Sequence, residues 1–200
     1  MGGVLLLTLM GAAPEGQAGC FDWNDAKALT SPLKEPLTPG QEQFGQRPAG
    51  GGWGAVAALV PVPVARVLQD LRRHDSTKTS DIAEFKIRPL PAQGLLERHE
   101  AAFTVKPFLF ITVEWVERWG FALVQGTPAA PQKVVASYEK VEGTSHIKHL
   151  CGSIVIQARD AAHTEIFLFE EADASRRSPE DTLKGLKDTV RALVNLTRPS

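Results

Sequence analysis

The hydrophobic period of this chain changes most sharply at Ser178. From Ile82 to Glu170 apolar residues recur at every second position in one segment after another; beyond Ser178 they recur at every third and fourth. A period of two belongs to strands with one buried face, and a period near 3.6 to an amphipathic helix. Ser178-Pro179-Glu180-Asp181 marks the helix start with a capping serine, a proline in the first turn and acidic residues at the positive end of the dipole. Leu183, Leu186, Val190, Leu193 and Val194 then form one stripe, with Lys184, Lys187, Asp188 and Arg191 outside it. A helix this short is marginal in water by itself. Burying each apolar side chain contributes about 1.5–3 kcal/mol, so the stripe must be docked on a sheet. These elements predict an α+β fold.

The strands are legible one by one. Ala83, Phe85 and Ile87 alternate with Glu84, Lys86 and Arg88 up to Pro89, and Ala101, Phe103 and Val105 repeat the pattern. Phe108–Val124 is apolar on both faces, with a turn expected near Glu117-Arg118 and Trp119, Phe121 and Leu123 after it. Further strands are expected at Val134–Val141, Ile147–Gln157 and Thr164–Glu170. The loops between them, such as Glu142-Gly143-Thr144, are short, which favours an antiparallel meander. Upstream, Val56–Val60 reads as a strand that stops at Pro61-Val62-Pro63. Val64, Val67, Leu68 and Leu71 then fall at helical spacing.

The amino-terminal part is different in kind. Val4-Leu5-Leu6-Leu7-Thr8-Leu9-Met10, followed by the small residues Gly16 and Ala18, predicts a signal peptide over residues 1–18, although no Lys or Arg precedes the apolar core. The chain is therefore expected to be exported, periplasmic or extracellular, with Cys20 offering a lipid anchor. The alternative is an ordinary buried segment. Residues 19–52 carry Pro32, Pro36, Pro39 and Pro48 among many glycines and read as an arm or linker, because neither a helix nor a central strand survives that composition. The folded domain is expected over 53–197. In an oxidising compartment Cys20 and Cys151 could pair, whereas Cys151, inside a strand, also reads as a small buried hydrophobe.

Several functions are argued against. With 22 Lys+Arg against 23 Asp+Glu the net charge is −1, so no basic surface for nucleic acid is expected. No apolar run is long enough for a transmembrane helix. No metal site or cofactor is expected: His146 and His149 are three apart and face opposite sides of a strand, and His163-Thr164-Glu165 lacks the paired cysteines of zinc deaminases. Gly50, Gly52 and Ala55 follow no strand and precede no helix, so they do not cradle a phosphate. No catalytic residue is identified. Were there acid/base chemistry, Glu114, Tyr138, Glu139 and His146 would be the groups to inspect.

Val60-Pro61-Val62-Pro63-Val64-Ala65-Arg66-Val67-Leu68, Ser137-Tyr138-Glu139-Lys140, Leu150-Cys151-Gly152-Ser153-Ile154 and the capped last helix together resemble the START-like (SRPBCC) helix-grip superfamily. That group includes polyketide cyclase-type proteins, lipid-transfer domains and coenzyme Q-binding proteins. The resemblance runs from about Trp53 to Thr197 and leaves the arm outside. It implies a curved antiparallel sheet wrapped around the long carboxy-terminal helix, with an elongated apolar cavity between them. The implied wall is Phe85, Phe103, Phe110, Trp115, Phe121 and Phe167 with Leu186, Val190 and Leu193 from the helix, and the implied partner is an apolar small molecule or lipid. Entry would require movement near Pro89–Gly94 and Gly126–Pro131, or at one end of the helix. Two alternatives stay open: a cyclase or dehydratase with an acid/base group in the cavity, and an interaction domain whose pocket its own side chains fill.

Overall fold

Alternation of apolar and polar residues generates one sheet, and the capped helix closes it. The computed structural model describes residues 20–21, 36–75, 82–108, 111–175 and 178–197; the expected signal peptide and Phe110 lie outside them. The strands are β1 (Glu42–Gln46), β2 (Gly52–Val60), β3 (Ile82–Pro89), β4 (Glu97–Phe108), β5 (Ile111–Thr127), β6 (Ala130–Gly143), β7 (Ile147–Ala158) and β8 (Thr164–Ala174). Helix α1 (Val64–Arg73) follows β2, and α2 (Pro179–Val194) follows β8. All eight strands form a single antiparallel sheet in the order β1-β2-β8-β7-β6-β5-β4-β3. From β3 to β8 neighbours in sequence are neighbours in space, as short connections require. Only the α1 segment crosses the sheet, carrying the chain from β2 to the far edge.

Both helices lie on one face, which we call the inner face. Leu183 and Leu186 of α2 and Val67, Leu68 and Leu71 of α1 join one buried cluster with Val56, Val60, Phe103, Trp119, Phe121, Val134, Ile154, Ile166 and Leu168 of the sheet. α2 packs along β2, with β1 and β8 at its flanks. Its capping box is complete: the Ser178 hydroxyl accepts from the Asp181 amide at 3.3 Å, and the Asp181 carboxylate accepts from the Ser178 amide at 2.8 Å. Leu183, Leu186 and Leu193 are buried and Val190 packs against the cluster; Val194 faces outward. Gly54 lets the helix approach, since a Cβ there would lie 3.1 Å from the Leu183 backbone. Among the described residues no helix is long and apolar enough to cross a membrane.

Three features differ from the sequence reading. No turn breaks the chain at Glu117-Arg118. β5 runs on from Ile111 to Thr127, and a register shift between Val116 and Glu117 absorbs the irregularity. The proline-rich arm supplies β1, which adds Glu42–Gln46 to the edge of β2; Pro39 and Pro48 stay outside the strand, and Gly45 within it leaves room for the Trp53 ring. Finally, Cys20 and Cys151 form a disulfide with Cα atoms 6.3 Å apart, so Cys151 is not simply a small buried hydrophobe.

Candidate functional site

The inner face has two unlike halves. Under α2, Val56, Ala58, Ile166 and Leu168 make an aliphatic floor. Across β3 to β6 the same face is aromatic and carries polar groups. Alternation along β4 puts His99, Ala101 and Phe103 inward, and the register sets His99 beside Trp119 and Phe103 beside Trp115 and Phe85. The next pairing sets Trp119 beside Tyr138. Phe103 and Trp115 stack at 5.0 Å, and Trp119 and Tyr138 at 4.3 Å. Tyr138 lies across β7 because Gly152 has no side chain: a Cβ there would fall 2.0 Å from the tyrosine ring.

His74 sits at the centre of this wall. It ends α1 in the left-handed conformation at φ 56°, a region histidine enters more readily than most residues. Its fully buried ring lies 4.7–5.9 Å from Trp119, His99, Phe85 and Phe103. His74 Nε2 and His99 Nε2 are 2.9 Å apart, and His99 Nδ1 is 3.1 Å from Glu97 Oε1. A carboxylate only accepts, so His99 donates through Nδ1; with both rings neutral, its Nε2 accepts the proton-bearing Nε2 of His74. Arg72 pairs with the same carboxylate at 2.9 Å. The hydrogen bond from His99 lowers the Glu97 pKa most; burial works against it, and Arg72 assists. Arg72 and Glu97 are about one-third exposed while both imidazoles are sealed, so this chain of polar groups runs from solvent into the core.

Other inward polar groups are also engaged. Glu117 accepts from the indole N–H of Trp115 at 2.8 Å and of Trp119 at 2.9 Å, which holds both rings in place. Tyr138 donates to Glu170 at 2.8 Å. Opposite Glu117 in the register, burial holds the Lys140 ammonium below its ordinary pKa.

The nine residues implied as a wall separate into groups. Phe103 and Phe121 are buried in the inner cluster; Phe85, Trp115 and Val190 pack against it half-buried; Leu186 and Leu193 belong to α2 and are buried. Phe167 alternates with the inward Ile166 and Leu168 and so faces the other side of the sheet. Phe110 lies outside the described residues. Of the groups inspected for chemistry, Glu114 and His146 are exposed, and Glu139 is buried on the outer face, where it accepts from the Cys20 amide at 2.7 Å. Only Tyr138 points inward. His74, His99 and Glu117 add buried inward polarity that the sequence reading did not single out, and strand and helix spacing contain them: His99 is two before Ala101, His74 three beyond Leu71, and Glu117 midway between two tryptophans.

A separate hollow of about 580 Å³ opens where β2 meets α1, bordered by Pro63 and Val64, by the turn from Ala129 to Gln132, and by Gln157, Ala158 and Asp160. Its floor reaches the core cluster through Val64 and Ala158. None of the described wall residues borders it.

No protein-family model matches this chain, and none of the curated proteins matches it. Among solved structures it is similar to the lipid transfer and protein localization domain of human StarD13, at 13% identity and a TM-score of 0.57, covering 75% of this chain and 79% of that one. It is similar to a STAR-related lipid transfer protein from Xanthomonas axonopodis at 14% identity and a TM-score of 0.56, covering 74% and 86%. It is also similar to the di-domain ARO/CYC StfQ from the steffimycin biosynthetic pathway at 14% identity and a TM-score of 0.51, covering 70% of this chain and 43% of that one. Identities this low speak to architecture, and the architecture is shared: the chain has the START-like helix-grip fold.

Proposed function

We propose that the chain binds, and carries, an apolar small molecule or lipid against the inner face of the sheet, between the aromatic wall and α2. The observation that carries this reading is the graded burial of that wall. Phe121, Trp119 and Phe103 are sealed, while Phe85 and Trp115, in line with them, stay half-buried and Ile87 beside them is 40% exposed. An apolar floor with an accessible rim and a few fixed polar groups is what a binding site for a hydrophobic molecule with one polar end requires. Two of the similar structures are named as lipid transfer proteins, which supports the same reading by analogy of fold. The hollow beside the Gly126–Pro131 turn is the proposed entrance, because Val64 and Ala158, which border it, also belong to or pack against the core cluster. The Cys20–Cys151 disulfide supports the expected export, since such bonds persist in oxidising compartments.

Titration of the full chain with a fatty acid, a quinone and a sterol tests the site through tryptophan fluorescence. Saturable quenching by one class is expected, weakened about tenfold in Trp115→Ala, which removes an aromatic contact worth on the order of 1.4 kcal/mol. Unquenched fluorescence with all of them contradicts the proposal.

A second reading is acid/base chemistry on the bound molecule, favoured by the His74–His99–Glu97 chain. A bound ligand would then lose the mass of one water on incubation, and His99→Gln would stop that change while binding persists. A ligand recovered unaltered from the native chain removes this reading and leaves the first.

A further inference from the structure

The outer face of the sheet, remote from the proposed ligand site, holds a cluster of a different chemistry. Alternation on β7 points His149 and Cys151 to this side, two residues apart, and the register places Glu171 of β8 directly beside Cys151. Cys20 reaches the same point from the arm. One ligand atom from each of Cys20, His149, Cys151 and Glu171 lies within 4.8 Å of all the others. His149 Nε2 is 2.7 Å from Glu171 Oε1, and Arg47 Nε is 3.2 Å from Glu171 Oε2. The Cys20 backbone is held in turn by the hydrogen bond its N–H donates to Glu139 Oε2.

Two sulfurs, an imidazole and a carboxylate are the donor set of a soft, tetrahedral divalent cation. Bond lengths of about 2.3 Å to sulfur and 2.0–2.2 Å to nitrogen or oxygen put the donors of such a site about 3.3–3.8 Å apart. All four donors lie within 4.8 Å of one another, so opening the disulfide lets the sulfurs separate to that spacing without moving the strands apart, and three of the four members stand on adjacent strands of a continuous sheet. Arg47 and Glu139 occupy the places of outer-shell groups, the first orienting the carboxylate and the second the arm. In the disulfide form the sulfurs are bonded to each other and have no thiolate to offer.

We propose that this cluster is a redox-gated site for zinc or a zinc-like cation, formed by Cys20, His149, Cys151 and Glu171 when the disulfide is reduced. A small-molecule dithiol supplies the reduction by exchange: it gives up two electrons and its two thiol protons, closes to its own disulfide, and leaves Cys20 and Cys151 as thiols. Binding of the cation then displaces those two protons to solvent and forms two metal–thiolate bonds. The arm is thus tied to the outer face in either state, covalently when oxidised and through the metal when reduced. In a reduced chain without metal the tie through the Cys20 sulfur is lost, while β1 stays paired to β2.

The test is cobalt(II) titration of the full-length chain, once oxidised and once reduced with dithiothreitol and desalted without oxygen. Cobalt(II) reports tetrahedral thiolate coordination by its visible absorption. The reduced chain is expected to take up one equivalent with that spectrum, zinc to displace it, and the oxidised chain to give none. His149→Ala is expected to weaken the reduced site at least about 100-fold and Arg47→Ala about 10-fold, in line with ligand and outer-shell losses. A reduced wild-type chain without the tetrahedral spectrum overturns the proposal, as does a spectrum and affinity left unchanged by His149→Ala. The readout is on the outer face of the wild-type protein, so it stands whether or not the inner face binds a lipid.

Discussion

The two halves of the inner face do different work with the same sheet. Beneath α2 the packing is aliphatic: Leu183 and Leu186 share one buried cluster with Val56, Ile166 and Leu168. From β3 to β6 the face is aromatic, and His74, His99 and Glu117 are buried within it, each engaged by a hydrogen bond or ring contact. Burying polar groups costs free energy that aliphatic side chains do not require, and hydrogen bonding offsets it only when geometry is held. The contrast teaches that one sheet supports two kinds of packing: α2 covers the aliphatic half, while His74 at the end of α1 is sealed among the rings of the aromatic half.

Substitutions can break that division. Leu186→Ala empties a fully packed position under α2 and is expected to cost about 2–5 kcal/mol in urea unfolding, with the choice among bound lipid classes unchanged. Gly152→Ala drives a methyl into Tyr138 on the aromatic half; a loss of about 1–3 kcal/mol is expected, together with changed tryptophan fluorescence, because Tyr138 stacks on Trp119. Should Leu186→Ala alter ligand choice and Gly152→Ala leave it intact, the roles of the halves are reversed. Ser178→Ala removes the cap of α2 and is expected to cost about 1 kcal/mol, with ligand binding untouched.

Acid sharpens the same contrast more gently. Hydrogen bonding from His99 lowers the Glu97 pKa below the ordinary 4.5, and hydrogen bonding from His149 does the same for Glu171. Carboxylates with a depressed folded-state pKa stabilise the fold above the unfolded value, and that contribution is lost as pH falls through the folded value. Stability is therefore expected to decline as pH drops below about 4.5, and Glu97→Gln to flatten the part of the decline that originates on the aromatic half. Urea midpoints measured across that range would show an unchanged slope if Glu97 had no such role.

Much of this architecture was legible in the sequence because it rests on period. Alternation at Ala101–Val105 and the cap at Ser178 reflect local physics that the fold retains, whereas β3 forms where expected but a register shift after Ile82 turns Ile82 rather than Ala83 toward the core. Continuity of β5 was not legible, because Glu117 and Arg118 look like turn residues unless the inward partners of Glu117, the two indole N–H groups, are known. Phe167 illustrates a different limit. Both faces of β8 are apolar there, and composition alone does not say which is inner; Ile166 and Leu168 take that side. The pairing of Cys20 with Cys151 spans 131 residues, and nothing local encodes a contact of that range. His74 and His99 were within reach of the periodicity that identified their neighbours, had it been extended by one step at each end.

Native mass spectrometry of the gently purified full-length chain tests the central claim most directly. The account predicts a chain heavier than its polypeptide by one small apolar molecule, exchangeable for an added fatty acid, quinone or sterol. A chain that emerges bare and takes up none of the three contradicts it.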